Sequence, residues 1–163
     1  MERTQFSWNG FYAMPVIGIM RNISAADVAD ILPLYYDSGL TTIEVTMNSP
    51  GFEESIRLAL QNFAGKVNIG AGTVCTEKDL ESALHAGAQF IVTPVIDLKV
   101  IELCKQSGIP VFAGAYTPTE IFTAWNAGAD MVKIFPAIAN GIEYIKAVKG
   151  PFPRNKIIAD RRR

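Results

Sequence analysis

The sequence predicts an α/β fold built on a parallel sheet, and three observations predict it. Short apolar runs of strand character recur roughly 20 to 25 residues apart. Helical patterns fill the intervals between them. Four of those helical patterns close on a glycine, Gly39, Gly87, Gly108 and Gly128, immediately before the next apolar run, where a left-handed cap is needed. Strands that alternate with helices pair in parallel through right-handed crossovers. That leaves two architectures, an open doubly wound sheet or a (β/α)₈ barrel.

Seven strands are expected. The first is Pro15-Val16-Ile17-Gly18-Ile19-Met20, and the second is Leu40-Thr41-Thr42-Ile43-Glu44-Val45-Thr46 after Gly39. Val67-Asn68-Ile69-Gly70-Ala71 is the third, and Ala88-Gln89-Phe90-Ile91-Val92-Thr93-Pro94 after Gly87 the fourth. Ile109-Pro110-Val111-Phe112-Ala113 follows Gly108 as the fifth. Met131-Val132-Lys133-Ile134-Phe135 is the sixth, between Ala127-Gly128-Ala129 and Pro136. Lys156-Ile157-Ile158-Ala159 is the seventh. Ser24 with Asp27, and Thr76 ahead of Glu77 and Asp79, have the pattern of helix N-caps with acids in the first turn. Glu53-Glu54 reads as the acidic first turn of a solvated helix. His85 falls in a last helical turn, and Trp8 and Trp125 read as packing residues.

Composition narrows the function classes. The 163 residues, 49% of them hydrophobic, suit one domain over residues 1–163 with a substantial core. A net charge of -1 gives no electrostatic case for a nucleic-acid or membrane-surface partner. No run of about 18 apolar residues suggests a membrane span, and Met1 to Trp8 lacks the apolar core of a signal peptide. Cys75 and Cys104 fit no metal spacing. They read as reduced cytoplasmic thiols, at least one of them buried.

Two charged residues stand inside apolar strands. A lysine in Met131-Val132-Lys133-Ile134 must snorkel to solvent, pair with an acid, or lose its proton; a neutral amine in an apolar site is a nucleophile that forms imines with carbonyl compounds. Glu44 stands likewise within strand two, on the face it shares with Thr42 and Thr46, while Ile43 and Val45 face the other way. In a barrel, strands two and six belong to the same layered set and lie opposite each other, so Glu44 and Lys133 could face across one interior. A bare buried ion pair is the alternative, and it stabilises poorly because desolvation offsets the attraction. The doubly wound alternative lacks its Gly-x-Gly-x-x-Gly after strand one, where Met20-Arg21-Asn22-Ile23 stands instead. Gly70-Ala71-Gly72 contains Gly-x-Gly without the third glycine, and reads as a tight turn of closely approaching backbones in preference to a phosphate cradle. Arg21, Asn48, Thr73 and Thr93-Pro94 fall at strand C-terminal ends, where barrel active sites form. Arg21 could clamp a carboxylate or phosphate, or be a solvated loop residue. Phe135 and Pro136 could wall the lysine's pocket or be ordinary loop packing.

Pro15 to Arg21, Ile43-Glu44-Val45-Thr46-Met47-Asn48-Ser49-Pro50, Gly70-Ala71-Gly72-Thr73-Val74, Ile91-Val92-Thr93-Pro94 and Val132-Lys133-Ile134-Phe135-Pro136-Ala137 together resemble the 2-keto-3-deoxy-6-phosphogluconate (KDPG) and 4-hydroxy-2-oxoglutarate (KHG) aldolases, including their 2-keto-3-deoxy-6-phosphogalactonate branch. The resemblance covers about residues 13 to 153. It implies a TIM (β/α)₈-type barrel, a cytoplasmic homotrimer, no metal and no cofactor, and a small keto-acid substrate. The implied reaction is class I aldol cleavage to pyruvate plus glyceraldehyde 3-phosphate or glyoxylate. It makes Lys133 the Schiff-base lysine and Glu44 the general acid/base acting through a water. Thr73 and Pro94 would line the pocket near the pyruvoyl carboxylate. Arg21 would contact substrate, and Phe135 would pack beside the imine.

Two departures bear on that expectation. Many KDPG aldolases have arginine where this chain has Asn48, and Val-Thr-Met-Asn-Ser-Pro is more similar to the phosphogalactonate branch. Loss of that cation weakens binding of a carboxylate by about 1 to 3 kcal/mol unless another donor replaces it. The family would also continue from strand seven into a Thr-Gly-Gly phosphate loop and an eighth strand, whereas here Asp160-Arg161-Arg162-Arg163 follows. The expectation is an incomplete barrel of about seven strands, C-terminally truncated, with strand eight and the final helices missing. Such a chain would keep the imine chemistry and lack the phosphate cradle. The alternative function is then a weakly active or inactive remnant that serves only as an oligomer subunit.

Overall fold

The computed structural model describes residues 5–137 and 141–160. Met1 to Thr4, Ile138 to Asn140 and Arg161 to Arg163 lie outside the described residues, so the expectations for the extreme N-terminus and the basic tail fall there. The described residues form two compact units, divided after Val92.

In the first unit α1 (Trp8–Ala13) precedes β1 (Gly18–Met20), α2 (Ala25–Asp37), β2 (Thr42–Thr46), α3 (Phe52–Phe63), β3 (Asn68–Gly72), α4 (Glu77–Ala86) and β4 (Ile91–Val92). The strands pair in parallel and in chain order, with Ile19 beside Glu44, Glu44 beside Gly70, and Gly72 beside Val92. β2 and β3 are buried at every position, as expected of parallel strands covered on both faces. Ser24 and Thr76 cap α2 and α4 in full capping boxes with Asp27 and Asp79. Each box satisfies two backbone donors that a helix start leaves without partners. The α1 helix has no counterpart among the predicted elements. Ser7 caps it, and its Trp8 and Phe11 join Phe6 in one aromatic cluster, with Phe6 edge-on to Phe90 at 5.1 Å.

In the second unit α5 (Leu98–Gln106), β5 (Val111–Ala115), α6 (Pro118–Ala127), β6 (Met131–Ile134), α7 (Gly141–Lys149) and β7 (Ile157–Ala159) follow. Again the strands are parallel and in order: Gly114 pairs with Lys133, and Lys133 with Ile158. Thr117 caps α6 in a capping box with Glu120, and Pro118 opens the helix. Gly87 and Gly128 take φ of 100° and 102° as the C-caps of α4 and α6, conformations that an L side chain rarely adopts.

All seven predicted strands form, each within two or three residues of its expected bounds. Their parallel alternation with helices is that of an incomplete TIM-type α/β barrel. Among the described residues no helix is long and apolar enough to cross a membrane.

Candidate active site

The first unit supplies Glu44, Arg21, Thr73 and Asn48. Glu44 is 2% exposed, and strand alternation puts it on one face with Thr42 and Thr46, as predicted. Its carboxyl reaches diagonally onto β3. A Cβ on Gly72 would stand 2.7 Å from Glu44 Cδ and 2.8 Å from Oε1, and a Cβ on Gly70 would stand 2.5 Å from the Phe90 ring. Gly70-Ala71-Gly72 is therefore not a tight turn but a strand stripped of side chains on one face. One glycine admits an aromatic ring and the other admits the acid.

Thr73 ends β3 in the left-handed region, at φ 63°. A β-branched residue there is strained by an amount on the order of 1 to 3 kcal/mol. Its hydroxyl accepts a hydrogen bond from Arg21 Nη2 at 3.3 Å, so the two predicted substrate contacts are brought together, both half-buried. Asn22, also left-handed at φ 55°, donates its backbone N–H to Ser49 Oγ at 3.0 Å, and Ser49 Oγ lies 2.9 Å from Thr46 Oγ1. That network ties the turn after β1 to the turn after β2, and Ser49 was not singled out in the sequence. Asn48 is exposed in the same turn.

The second unit supplies Lys133, Phe135 and Pro94. Lys133 is 8% exposed, and its Nζ lies 5.5 Å from the centroid of the Phe135 ring, close enough for a cation–π contact. Phe135 thus belongs to the lysine's surroundings rather than to ordinary loop packing. Nζ also lies 2.9 Å from Asp160 Oδ2. Asp160 is not among the predicted site residues; it lies just past the end of β7, two residues beyond Ile158, where its backbone N–H continues the ladder to Ile134. Thr93 Oγ1 accepts the Gly114 N–H at 3.1 Å and donates to the Val95 carbonyl at 2.6 Å. Pro94 packs so closely on β5 that a Cβ on Gly114 would stand 2.3 Å from its carbonyl carbon. Gly114 sits at Lys133's register position, so the strand neighbouring the amine carries no side chain there.

Arg21, Thr73, Phe135 and Asp160 each stand immediately after the end of a strand, and Pro94 two residues after one. Strand C-terminal ends are where parallel α/β barrels place their chemistry. The first unit carries a buried carboxyl, Glu44 within β2, and a half-buried arginine, Arg21; the second carries a buried amine, Lys133 within β6, and an amine withdrawn from water is the kind of group that forms imines with carbonyl compounds.

The chain belongs to the KDPG and KHG aldolase family, whose sequence profile matches residues 10–160. It is 39% identical over 140 residues to the 2-dehydro-3-deoxy-6-phosphogalactonate aldolase of Escherichia coli K12, covering 86% of this chain and 68% of that one. The native KDPGal structure superposes with a TM-score of 0.87 at 36% identity, over 95% of this chain and 74% of that one. KDPG aldolase from Legionella pneumophila, solved with pyruvate captured as a covalent carbinolamine, matches at 29% identity and a TM-score of 0.84, over 92% and 73%. The chain spans from 62% to 69% of the length of the curated relatives it matches.

Proposed function

We propose that this chain carries a class I aldolase site that cleaves a 2-keto-3-deoxy-6-phospho sugar acid to pyruvate and glyceraldehyde 3-phosphate. The observation that carries the reading is Lys133, buried in a parallel strand at 8% exposure, in a family one of whose members holds pyruvate as a covalent carbinolamine. Lys133 Nζ, as the neutral amine, adds to the substrate's C2 carbonyl. Loss of water from the carbinolamine leaves an iminium. That iminium draws in the electron pair of the C3–C4 bond as it breaks, giving an enamine, while the C4 hydroxyl loses its proton and departs as the aldehyde. Protonation of the enamine at C3 and addition of water at C2 release pyruvate and the free amine.

Glu44 is the group proposed to give and take these protons through a water. Its burial suits that work, since a desolvated carboxyl can serve as both acid and base near neutrality. Arg21 and Thr73, joined by their hydrogen bond, are proposed to hold the substrate's carboxylate end together with Pro94, and Phe135 to pack beside the imine. We assign the galacto-configured substrate ahead of its gluco epimer. The resemblance puts Asn48 where many KDPG aldolases have arginine, and the E. coli relative named for the phosphogalactonate is 39% identical. A cytoplasmic homotrimer, each subunit a single barrel domain, is the assembly proposed.

Pyruvate release from each of the two epimeric substrates, coupled to lactate dehydrogenase, tests the reading. Faster release from the phosphogalactonate epimer supports it. Release from neither, by folded protein, overturns it for this chain.

A further inference from the structure

The turn after β2 carries a serine that the proposed reaction does not use, and its hydrogen bonds meet on either side of Arg21. Thr46 to Ser49 is a closed turn, with the Ser49 N–H donating to the Thr46 carbonyl at 2.9 Å. Ser49 is 5% exposed and Thr46 fully buried, so both hydroxyls need partners inside the protein. The Asn22 N–H donates to Ser49 Oγ at 3.0 Å, Ser49 Oγ lies 2.9 Å from Thr46 Oγ1, and Thr46 Oγ1 donates to the Met20 carbonyl across 3.5 Å. A hydroxyl has one proton to give. Thr46 gives its own to Met20, so the proton between the two hydroxyls is Ser49's. The donors therefore run from Asn22 through Ser49 and Thr46 to Met20, and Arg21 is the residue enclosed between the two ends.

The Met20 carbonyl and the Asn22 N–H belong to the two peptide planes that flank the Arg21 Cα. Peptide units are planar, so holding both planes fixes Arg21 φ and ψ and, with them, the direction of its Cα–Cβ bond. The bond to Ser49 also helps to hold Asn22 at φ 55°, a left-handed conformation that costs free energy outside glycine. The same turn reaches the other side of the site. The Met47 N–H donates to the Gly72 carbonyl at 2.9 Å, and Gly72 directly precedes Thr73. Arg21 and Thr73, joined at 3.3 Å, thus each stand beside a residue that the β2 turn holds.

From this geometry we propose that Ser49 is a positioning residue: its hydroxyl holds the backbone on both sides of Arg21, aims the guanidinium at Thr73, and so sets how tightly the substrate's carboxylate end is bound. The proposal rests on the reading of Arg21 and Thr73 as the carboxylate contacts. A carboxylate remote from the breaking bond is present alike in the bound substrate and in the transition state. Loosening its clamp removes uniform binding, which raises KM and spares kcat.

Modification of Arg21 with phenylglyoxal, read by peptide mass spectrometry, follows the guanidinium without any substrate. Ser49→Ala removes the hydroxyl, and Arg21 should then react about threefold faster than in the parent chain, as a side chain released from a fixed setting does. Ser49→Thr keeps the hydroxyl and should restore most of the parent rate. Ser55→Ala is the control. Ser55 is also buried, and its hydroxyl donates to the Gly51 carbonyl at 3.2 Å, so its loss should leave the Arg21 rate in place. In pyruvate release from the phosphogalactonate epimer, Ser49→Ala should raise KM by about fivefold with kcat little changed. Equal Arg21 rates in the parent chain and in Ser49→Ala whose circular dichroism shows it folded, a Ser49→Thr or Ser55→Ala rate as fast as that of Ser49→Ala, or a KM that Ser49→Ala leaves unchanged, each overturns the proposal. If Ser49→Ala does not fold, hydrogen exchange of the parent chain decides: an Asn22 amide protected by about tenfold or more supports its bond to Ser49, and an unprotected one contradicts it. Arg21 labelling that shifts as expected while no protein releases pyruvate would uphold the positioning and defeat the aldolase reading alone.

Discussion

The Glu44 carboxyl of β2 lies over Gly72 of β3, filling the volume that a Cβ would take up, 2.7 Å from its carboxyl carbon. A glycine at the end of one strand thereby fixes where the acid of the neighbouring strand can stand. Gly72→Ala should displace that carboxyl and lower turnover by about 100-fold, the scale expected from misplacing a catalytic group by about 1 Å. It should also lower stability by about 1 to 3 kcal/mol, as overpacked cores do. Gly70→Ala is the control, since its Cβ would meet the Phe90 ring. It should reduce stability comparably and turnover less. Urea denaturation with steady-state kinetics on both variants separates the two effects, and equal losses of turnover would contradict the assignment of Glu44.

The two thiols should behave oppositely. Cys104 is fully buried in α5, and burial, reinforced by the nearby Asp130, pushes its thiol up to about 12. Cys75 is exposed, with its sulfur 3.5 Å from the Thr73 carbonyl. Thiolate, not thiol, reacts with disulfide reagents. Titration of the native protein with an aromatic disulfide at pH 8 should therefore show one fast equivalent, located at Cys75, and a second only after denaturation.

The capping boxes predict an acid-dependent loss of stability. Hydrogen bonds from Ser24 hold the Asp27 carboxyl below its ordinary value, and the backbone N–H groups of Thr117 and Tyr116 do the same for Glu120. A carboxyl whose folded value is depressed binds protons more weakly folded than unfolded. Its contribution is complete above the ordinary carboxylate range and fades as the pH falls through the depressed folded value. The parent chain should have the higher thermal midpoint of the two at pH 7, Ser24→Ala the lower, and the gap should narrow towards pH 2. A gap that stays constant with pH would contradict the capping role of the Asp27 charge.

Much of this architecture was legible in the chain because its signals are local. Ser24-to-Asp27 and Thr76-to-Asp79 cap helices by contacts three residues apart, and Gly87 and Gly128 end them by a backbone conformation that few other residues adopt. The α1 helix was not legible. It is six residues long, and what holds it is the aromatic packing of Phe6, Trp8 and Phe11, which joins residues distant in sequence such as Phe90. Nor does α2 stop at Pro33, as a proline inside a helical pattern suggests; it runs on to Asp37. At the site, Lys133 and Glu44 could be singled out because a charge in an apolar strand is conspicuous. The partnership of Arg21 with Thr73 is set by side chains 52 residues apart. That of Lys133 with Asp160 is set by strand register, a tertiary quantity. Neither is written in any one segment.

Incubating the chain with pyruvate, reducing with borohydride and mapping the product by peptide mass spectrometry would show whether Lys133 forms an imine with a 2-keto acid. A single pyruvate-derived adduct on Lys133, absent from Lys133→Ala, is the expected product. An unmodified Lys133 in folded protein, or an adduct on another lysine that survives Lys133→Ala, would contradict it.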